Sequence, residues 1–370
     1  MAGNVRQPID LAALERYIAA NVPEIAVPLD IKQFGYGQSN PTYQLTDKNG
    51  KKYVMRKKPP GQLLSKTAHK VDREYRIIHA LENTDVPVPR AFNLCQDDKI
   101  IGSDFYIMEF LDGRIFEDPA IPDVSPQDRT EMWRSAITTL AKFHRVSPAS
   151  VNLSSYGKSS GFYNRQIATF NTISQSQASA KDKETGEPVG KIPHQDDMVA
   201  FFSDPTTQPQ DRATFVHGDY KIDNVVFHKT EPRVIGILDW EMSTIGHPLS
   251  DLNNLLSPYL TASSQKARAV GRAHAGFVPG ATPGLPSRDQ LVAWYSEVAG
   301  WDPRPDFTWG DAFTTYRTAI IMQGIAARYA LRQASSAQAK SYGQMMKPFA
   351  EIAWELVQEF KKSHTEKAKL

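Results

Sequence analysis

The chain has 370 residues and a mass of 41.4 kDa, enough for two lobes with cores of their own. It is 41% hydrophobic and 23% charged, with a formal net charge of +2, so no basic field points to nucleic acid or to an anionic membrane. One cysteine, Cys95 in the apolar AFNLC, excludes an intrachain disulfide and suits packing in a reducing compartment. No cationic-apolar leader and no apolar run long enough to cross a bilayer is expected.

Residues 1–9 read as disordered. Asp10 can cap a helix over 10–21 whose Leu11, Leu14 and Ile18 share a face, ending near Val22-Pro23. Next come Gly35, Gly37, Gln38, Ser39 and Asn40, leading into a strand at Thr42–Thr46. Glycines two apart let backbone amides approach a phosphate, and Ser39 and Asn40 add donors; a plain turn fits the same letters. Asn49-Gly50 makes a tight hairpin, and the returning Lys51–Lys58 alternates, with Val54, Arg56 and Lys58 on one face. Arg56 can hold nucleotide phosphates, or the run Arg56-Lys57-Lys58 can be a solvated basic edge. Val71, Glu74, Ile78 and Leu81 follow helical periodicity, which puts Glu74 among apolar residues. A carboxylate there needs a cation, and Arg56 is the candidate partner; the alternative is a hydrated rim position.

An extended connector, Val86–Arg90, leads to strands near Ala91–Cys95 and Phe105–Phe110, broken by Asp112-Gly113. Met108–Leu111, with Glu109 and Leu111, is the segment whose backbone groups could meet adenine. The pattern then turns helical: Ser125-Pro126 opens a helix burying Met132, Trp133, Ile137, Leu140 and Phe143 and closing on His144, a core contact. Residues 171–212 are polar and read as a helix-and-loop insert. Further on, Gly246-His247-Pro248 is a turn, and Leu249–Leu256 a helix carrying Asp251, either a brace for a neighbouring loop or a surface aspartate. Residues 271–286 are rich in Gly, Pro and Ala and suit a mobile loop or lid. Ser287-x-x-Gln290 is a capping box. Long amphipathic helices follow at 311–333, interrupted by Arg317, Gln323 and Arg328, and at Met345–Phe360.

The chain is organised around Phe215–Trp240, FVHGDYKIDNVVFHKTEPRVIGILDW. Three short apolar runs, separated by turn residues, read as buried strands. Asp219, Asn224 and Asp239 sit at their ends and in the loop between, where they can converge. Phosphoryl transfer needs one carboxylate to accept a hydroxyl proton, and an amide with a second carboxylate to hold magnesium against phosphates. The order His-x-Asp, four residues, Asn, then a strand-borne Asp has that spacing. An acidic hairpin turn explains two of these residues but not five in order. His217, between Val216 and Gly218, reads as a structural histidine.

With these motifs in place the chain resembles the aminoglycoside phosphotransferase/choline kinase branch of the protein-kinase-like fold over roughly residues 30–360. FGYGQSNPTYQL, YVMRKKPPG, VDREYRIIHAL, VHGDYKIDNVVF and ILDWEMSTIGHPLSDL bring it nearest to the kinase-like domain of acyl-CoA dehydrogenase family members 10 and 11 and its stand-alone relatives. The resemblance implies an α+β, bilobal fold: a small mixed-sheet N-lobe over 1–112, a mainly helical C-lobe with a catalytic hairpin over 113–362, and a tail at 363–370. It implies ATP and Mg2+ as cofactors, Asp219 as catalytic base, and Asn224 and Asp239 as metal ligands. Lys221 takes the place of the catalytic-loop lysine, Glu74 that of the helix glutamate, and Arg56 that of the nucleotide-binding lysine. Gly218 replaces the arginine of the protein-kinase loop and no Ala-Pro-Glu segment follows Asp239, which favours a small-molecule hydroxyl acceptor over a protein.

The acceptor that the resemblance suggests is a hydroxyacyl-CoA in fatty-acid catabolism, and Arg268, Arg272, Arg317 and Arg328 lean toward an anionic one. An amino-alcohol, sugar or aminoglycoside acceptor is the alternative, and a silent nucleotide-binding scaffold a third. Ala368-Lys369-Leu370 differs from a peroxisomal import-receptor address by one small residue, so a peroxisomal location is expected, and otherwise a cytoplasmic one.

Overall fold

A computed structural model describes residues 2–35, 40–59, 70–269, 271, 274–334 and 338–367. Gly37, Gln38, Ser39, Arg272 and Ala368-Lys369-Leu370 lie outside them. In chain order the first elements are β1 (Ala2–Gly3), α1 (Leu11–Asn21), β2 (Asp30–Phe34), β3 (Thr42–Thr46) and β4 (Lys52–Lys57). Then come α2 (Val71–Leu81), β5 (Ala91–Cys95), α3 (Asp98–Ile101), β6 (Phe105–Glu109), α4 (Pro126–Arg145), α5 (Phe162–Ala178) and α6 (Gln195–Ser203). The central stretch holds β7 (Thr214–Val216), β8 (Val225–Phe227), β9 (Val234–Ile237) and β10 (Thr244–Gly246). After it run α7 (Leu249–Ser263), α8 (Gln265–Ala269), α9 (Arg288–Ala299), α10 (Phe307–Ala330), α11 (Ala339–Gly343) and α12 (Met346–Lys367).

The chain divides into two compact units. The first combines Met1–Glu117 with Val146–Ser154 and His217–Ser243; the second takes Asp118–Arg145, Ser155–Val216 and Thr244–Leu370. The first unit is built on a sheet of order β1-β2-β3-β4-β6-β5, antiparallel at every pairing rather than mixed. Alternation along β4 decides its two faces. Tyr53 and Met55 join Leu14 and Ile18 of α1 in one apolar cluster, while Arg56 points the other way. Asp10 caps α1 by accepting the Ala13 N–H at 2.9 Å.

The first residues are ordered, against expectation. Gln33 Oε1 accepts the backbone N–H groups of Arg6 (2.7 Å) and Gln7 (3.2 Å), and β1 pairs with β2, giving a polar segment the partners that composition does not reveal. Within the same unit, hairpin β8–β9 is tied down by Arg114, whose N–H donates to the Phe227 carbonyl at 2.7 Å, and by the Ile237 N–H on the Pro87 carbonyl at 3.2 Å.

In the second unit β7 pairs with β10, so the first of the three apolar runs joins Thr244–Gly246 rather than the hairpin. Its core gathers Phe162, Tyr163, Phe202, Trp309, Phe313 and Tyr316 with residues of α12. The 171–212 stretch is tied to that core, because Met198, Phe201 and Phe202 on α6 are buried in it. Three apolar residues on one short helix outweigh the polar composition around them.

Candidate active site

Each described residue expected at the site belongs to the first unit. Its floor is a buried ion pair. Arg56, on the α2-facing side of β4, sets Nη1 3.0 Å from Oε2 of Glu74, which is fully buried. Tyr106, opposite Arg56 on β6, donates its hydroxyl to the same Oε2 at 2.9 Å. Asn40 Nδ2 donates to the other oxygen, Oε1, at 2.6 Å. Burial pushes the Glu74 carboxyl above the usual carboxylate range, against which Arg56 and Tyr106 pull it back. Three donors on two oxygens are the surroundings of an ionised carboxylate. For Arg56, burial works against the charge, but Glu74, Tyr106, Asp239 and Glu241 together raise its pKa and hold it protonated.

The same guanidinium reaches Asp239. Nη1 and Nη2 both donate to Asp239 Oδ1, at 3.2 and 3.3 Å, and Nη2 lies 3.9 Å from Glu241 Oε2. A lysine could place one point charge here; the planar fork of arginine serves two carboxylates at once. Asp239 adopts φ 63° and ψ 59°, the left-handed region, at the end of β9. For a non-glycine residue that conformation is costly and is kept where the surroundings impose it.

The loop before the hairpin is fixed by His217. Its Nδ1 accepts the Asp219 backbone N–H at 3.2 Å, which leaves the proton on Nε2 to donate to the Leu238 carbonyl at 2.9 Å. Both ring nitrogens thus serve the backbone, the structural part expected for it. Gly218 has φ +86°, and an added Cβ would come 2.8 Å from the Met242 carbonyl oxygen. The arginine that protein kinases carry at this place does not fit.

Asn224 Nδ2 donates to the Asp219 carbonyl at 2.8 Å and to Asp219 Oδ2 at 3.1 Å. A carboxylate only accepts, so the amide nitrogen must face it and Asn224 Oδ1 turns away as a free oxygen donor. Lys221 Nζ lies 3.5 Å from Asp219 Oδ2 and 3.1 Å from Asp223 Oδ2. Burial works against its charge, yet these two carboxylates raise its pKa overall. Among the described residues no three His, Cys, Asp or Glu side chains gather to hold a metal alone. An amide oxygen and one carboxylate are hard oxygen donors of the kind magnesium accepts when phosphates and waters complete its shell.

The adenine-side expectations are placed as follows. The Glu109 N–H is already used, donating to the Arg90 carbonyl at 2.8 Å, and Glu109 Oε2 accepts the Arg90 N–H at 3.2 Å. The Leu111 N–H has no hydrogen-bond partner among the described residues, while its side chain packs so closely on Gly236 that a Cβ there would meet Leu111 Cδ1 at 2.0 Å. Gly35 has open space around it. Sequence reasoning missed Tyr106, Asp223 and Glu241. Of these, Glu241 follows Asp239 by two residues and Asp223 precedes Asn224, so proximity in the chain was the available signal.

In the second unit His144 is a buried core contact, with Nδ1 2.7 Å from the Tyr295 hydroxyl and Nε2 3.2 Å from Asp251 Oδ2. Gln323 is buried, bonded to Ser174 and to the Gly190 carbonyl, and Arg268 and Arg328 are exposed.

The profile of the phosphotransferase enzyme family matches residues 30–291. Acyl-CoA dehydrogenase family member 11 of Gallus gallus is 36% identical over 352 residues, covering 94% of this chain and 43% of that protein. Member 10 of Mus musculus is 35% identical over 348 residues, covering 93% of this chain and 31% of that protein. The chain thus spans less than half of these curated relatives. Among solved structures, a Ralstonia eutropha protein provisionally named an aminoglycoside phosphotransferase is 36% identical, with a TM-score of 0.81 over 95% of this chain and 99% of that one. An ADP-bound aminoglycoside phosphotransferase shares the fold at 15% identity and a TM-score of 0.58, covering 93% of this chain and 99% of its own.

Proposed function

The chain belongs to the phosphotransferase enzyme family, and from that premise we propose that it is an ATP- and magnesium-dependent kinase acting on the hydroxyl of a hydroxyacyl-CoA. Small-molecule phosphotransfer is the level at which the family speaks. The nucleotide, metal and acceptor are our reading, and one observation carries it. Asn224 bonds the Asp219 carboxylate through its nitrogen, so one loop presents a carboxylate for a hydroxyl proton and an amide oxygen for a cation.

In this reading Asn224 Oδ1 and Asp239 hold the metal, and the Leu111 N–H faces the adenine. Magnesium, when bound, neutralises charge on the phosphates. Asp219 orients the acceptor hydroxyl and takes its proton as the new bond to the γ-phosphorus forms and the bond from that phosphorus to the bridging oxygen breaks, releasing ADP. Lys221, poised between Asp219 and Asp223, meets the oxygens of the transferred group. Arg56 contacts the nucleotide phosphates in the role usually filled by lysine.

One observation favours an acyl-type acceptor over a polycationic aminoglycoside: relatives named for acyl-CoA dehydrogenation share this region at 35–36% identity. Isotopic ATP turnover with hydroxyacyl-CoAs, choline and aminoglycosides as acceptors tests the proposal. Phosphorylation of a hydroxyacyl-CoA is expected, and turnover with aminoglycosides alone would replace the acceptor.

A further inference from the structure

Asn40 carries the inference, which rests on the nucleotide-binding reading above. In the sequence it closes the glycine-bearing segment and offers itself as a phosphate donor. In the structure its side chain is fully buried and Nδ2 is spent on Glu74 Oε1 at 2.6 Å. Among the described residues Asn40 is the donor to that oxygen, since Tyr106 and Arg56 both serve Oε2. Losing the amide would leave a carboxylate oxygen buried without a partner, a costly state. Glu74 relieves it by turning Oε1 onto the nearest donor still able to bond, and Arg56 is adjacent. Arg56 now divides its two terminal nitrogens between Glu74 and Asp239, and its Nε is buried with no partner of its own. Any rotation of Glu74 therefore redistributes the guanidinium and moves the cation away from its place over Asp239.

We propose that Asn40 is a positioning residue: by holding Glu74 Oε1 it fixes how Arg56 is shared between Glu74 and Asp239, and so sets the affinity for a metal–nucleotide complex that it does not touch. The end of the glycine-bearing segment and the carboxylate after β9 are then joined through one continuous chain of contacts, Asn40–Glu74–Arg56–Asp239.

The test is a double-mutant cycle read by calorimetric titration of the full chain with ADP in the presence of Mn2+. Asn40→Ala is expected to weaken binding about 10- to 100-fold, as losses behind a metal or phosphate ligand commonly do. Tyr106→Phe removes the donor to the other Glu74 oxygen at little cost to packing, and Glu74→Gln serves as a second partner for the cycle. If Asn40 acts through Glu74, the double variant Asn40→Ala/Tyr106→Phe binds clearly better or clearly worse than the two single losses multiplied together. Strict multiplication of the losses, with both partner variants, would mean that Asn40 meets the nucleotide directly and would overturn the proposal. Failure of the unaltered protein to bind Mn2+–ADP would instead sink the phosphotransferase reading, and this inference with it.

Discussion

Two buried carboxylates, one in each unit, are held in opposite ways. In the second unit Asp251 meets His144, which meets Tyr295, and all three are buried. In the first unit Glu74 is as deeply buried, but its cation partner is also bonded to Asp239, whose side chain is 38% exposed. The first arrangement lies entirely among buried side chains. The second extends from the core to an open carboxylate in a strained backbone, so a change at the surface is felt at the buried end. Burial by itself therefore does not mark a site. What marks it is a charge network with one end left open.

The largest expected effect sharpens that contrast at the open end. Asp219→Ala should lower kcat by about 10^2 to 10^4, the usual range for losing a general base, with calorimetric ADP affinity nearly unchanged. Undiminished turnover would remove Asp219 from the chemistry. At the buried cluster of the second unit the outcome should be reversed. Asp251→Ala leaves His144 buried with a lost partner and should destabilise the protein by about 3 kcal/mol in urea unfolding, while the protein that remains folded keeps its kcat. A kcat loss comparable to that of Asp219→Ala would show that the Asp251 cluster is not merely structural.

Arg56→Lys probes the link between the two ends. The lysine keeps the charge but not the fork, so it can serve Glu74 or Asp239 and not both. The expected result is roughly a 10-fold rise in nucleotide KM with a smaller change in kcat, in keeping with losses next to a ligand. A fall in kcat with KM unchanged, so that kcat and kcat/KM drop equally, would place the arginine's contribution in the transition state alone.

Much of this was legible because it is local. The spacing from His217 to Asn224 and the strand-borne Asp239 sit within one hairpin, and strand alternation with helical periodicity put Arg56 and Glu74 on facing surfaces. What escaped depends on pairing between distant segments. Tyr106 reaches Glu74 because β6 lies beside β4 in a register that sets it opposite Arg56. Asn40 reads as a loop donor by its neighbours, and only the position of α2 turns it inward. The ordered first residues depend on Gln33, nearly thirty positions away, and α6 enters a core whose other members come mostly from α5, α10 and α12. Composition could mark that segment as polar but could not show which side of it would be covered.

The smallest effect concerns a buried histidine of the second unit. Burial lowers the pKa of His247 to about 4; the Gln210 carbonyl pulls it back and Arg212 presses it further down. Its Nδ1 accepts the Leu249 N–H at 3.2 Å, so Nε2 carries the proton that meets the Gln210 carbonyl at 3.1 Å and the ring has no place for a second one. With the folded value below the ordinary 6.5, the unfolded chain takes up the proton first as pH falls. Stability is then full above about 6.5 and is lost as pH falls toward 4, reaching about 1.4 kcal/mol of loss near pH 5.5. Urea titrations at several pH values should show this slope in the unaltered protein and a flatter one in His247→Gln, whose amide does not titrate. Parallel slopes for the two would mean that water reaches the ring and solvates its charged form.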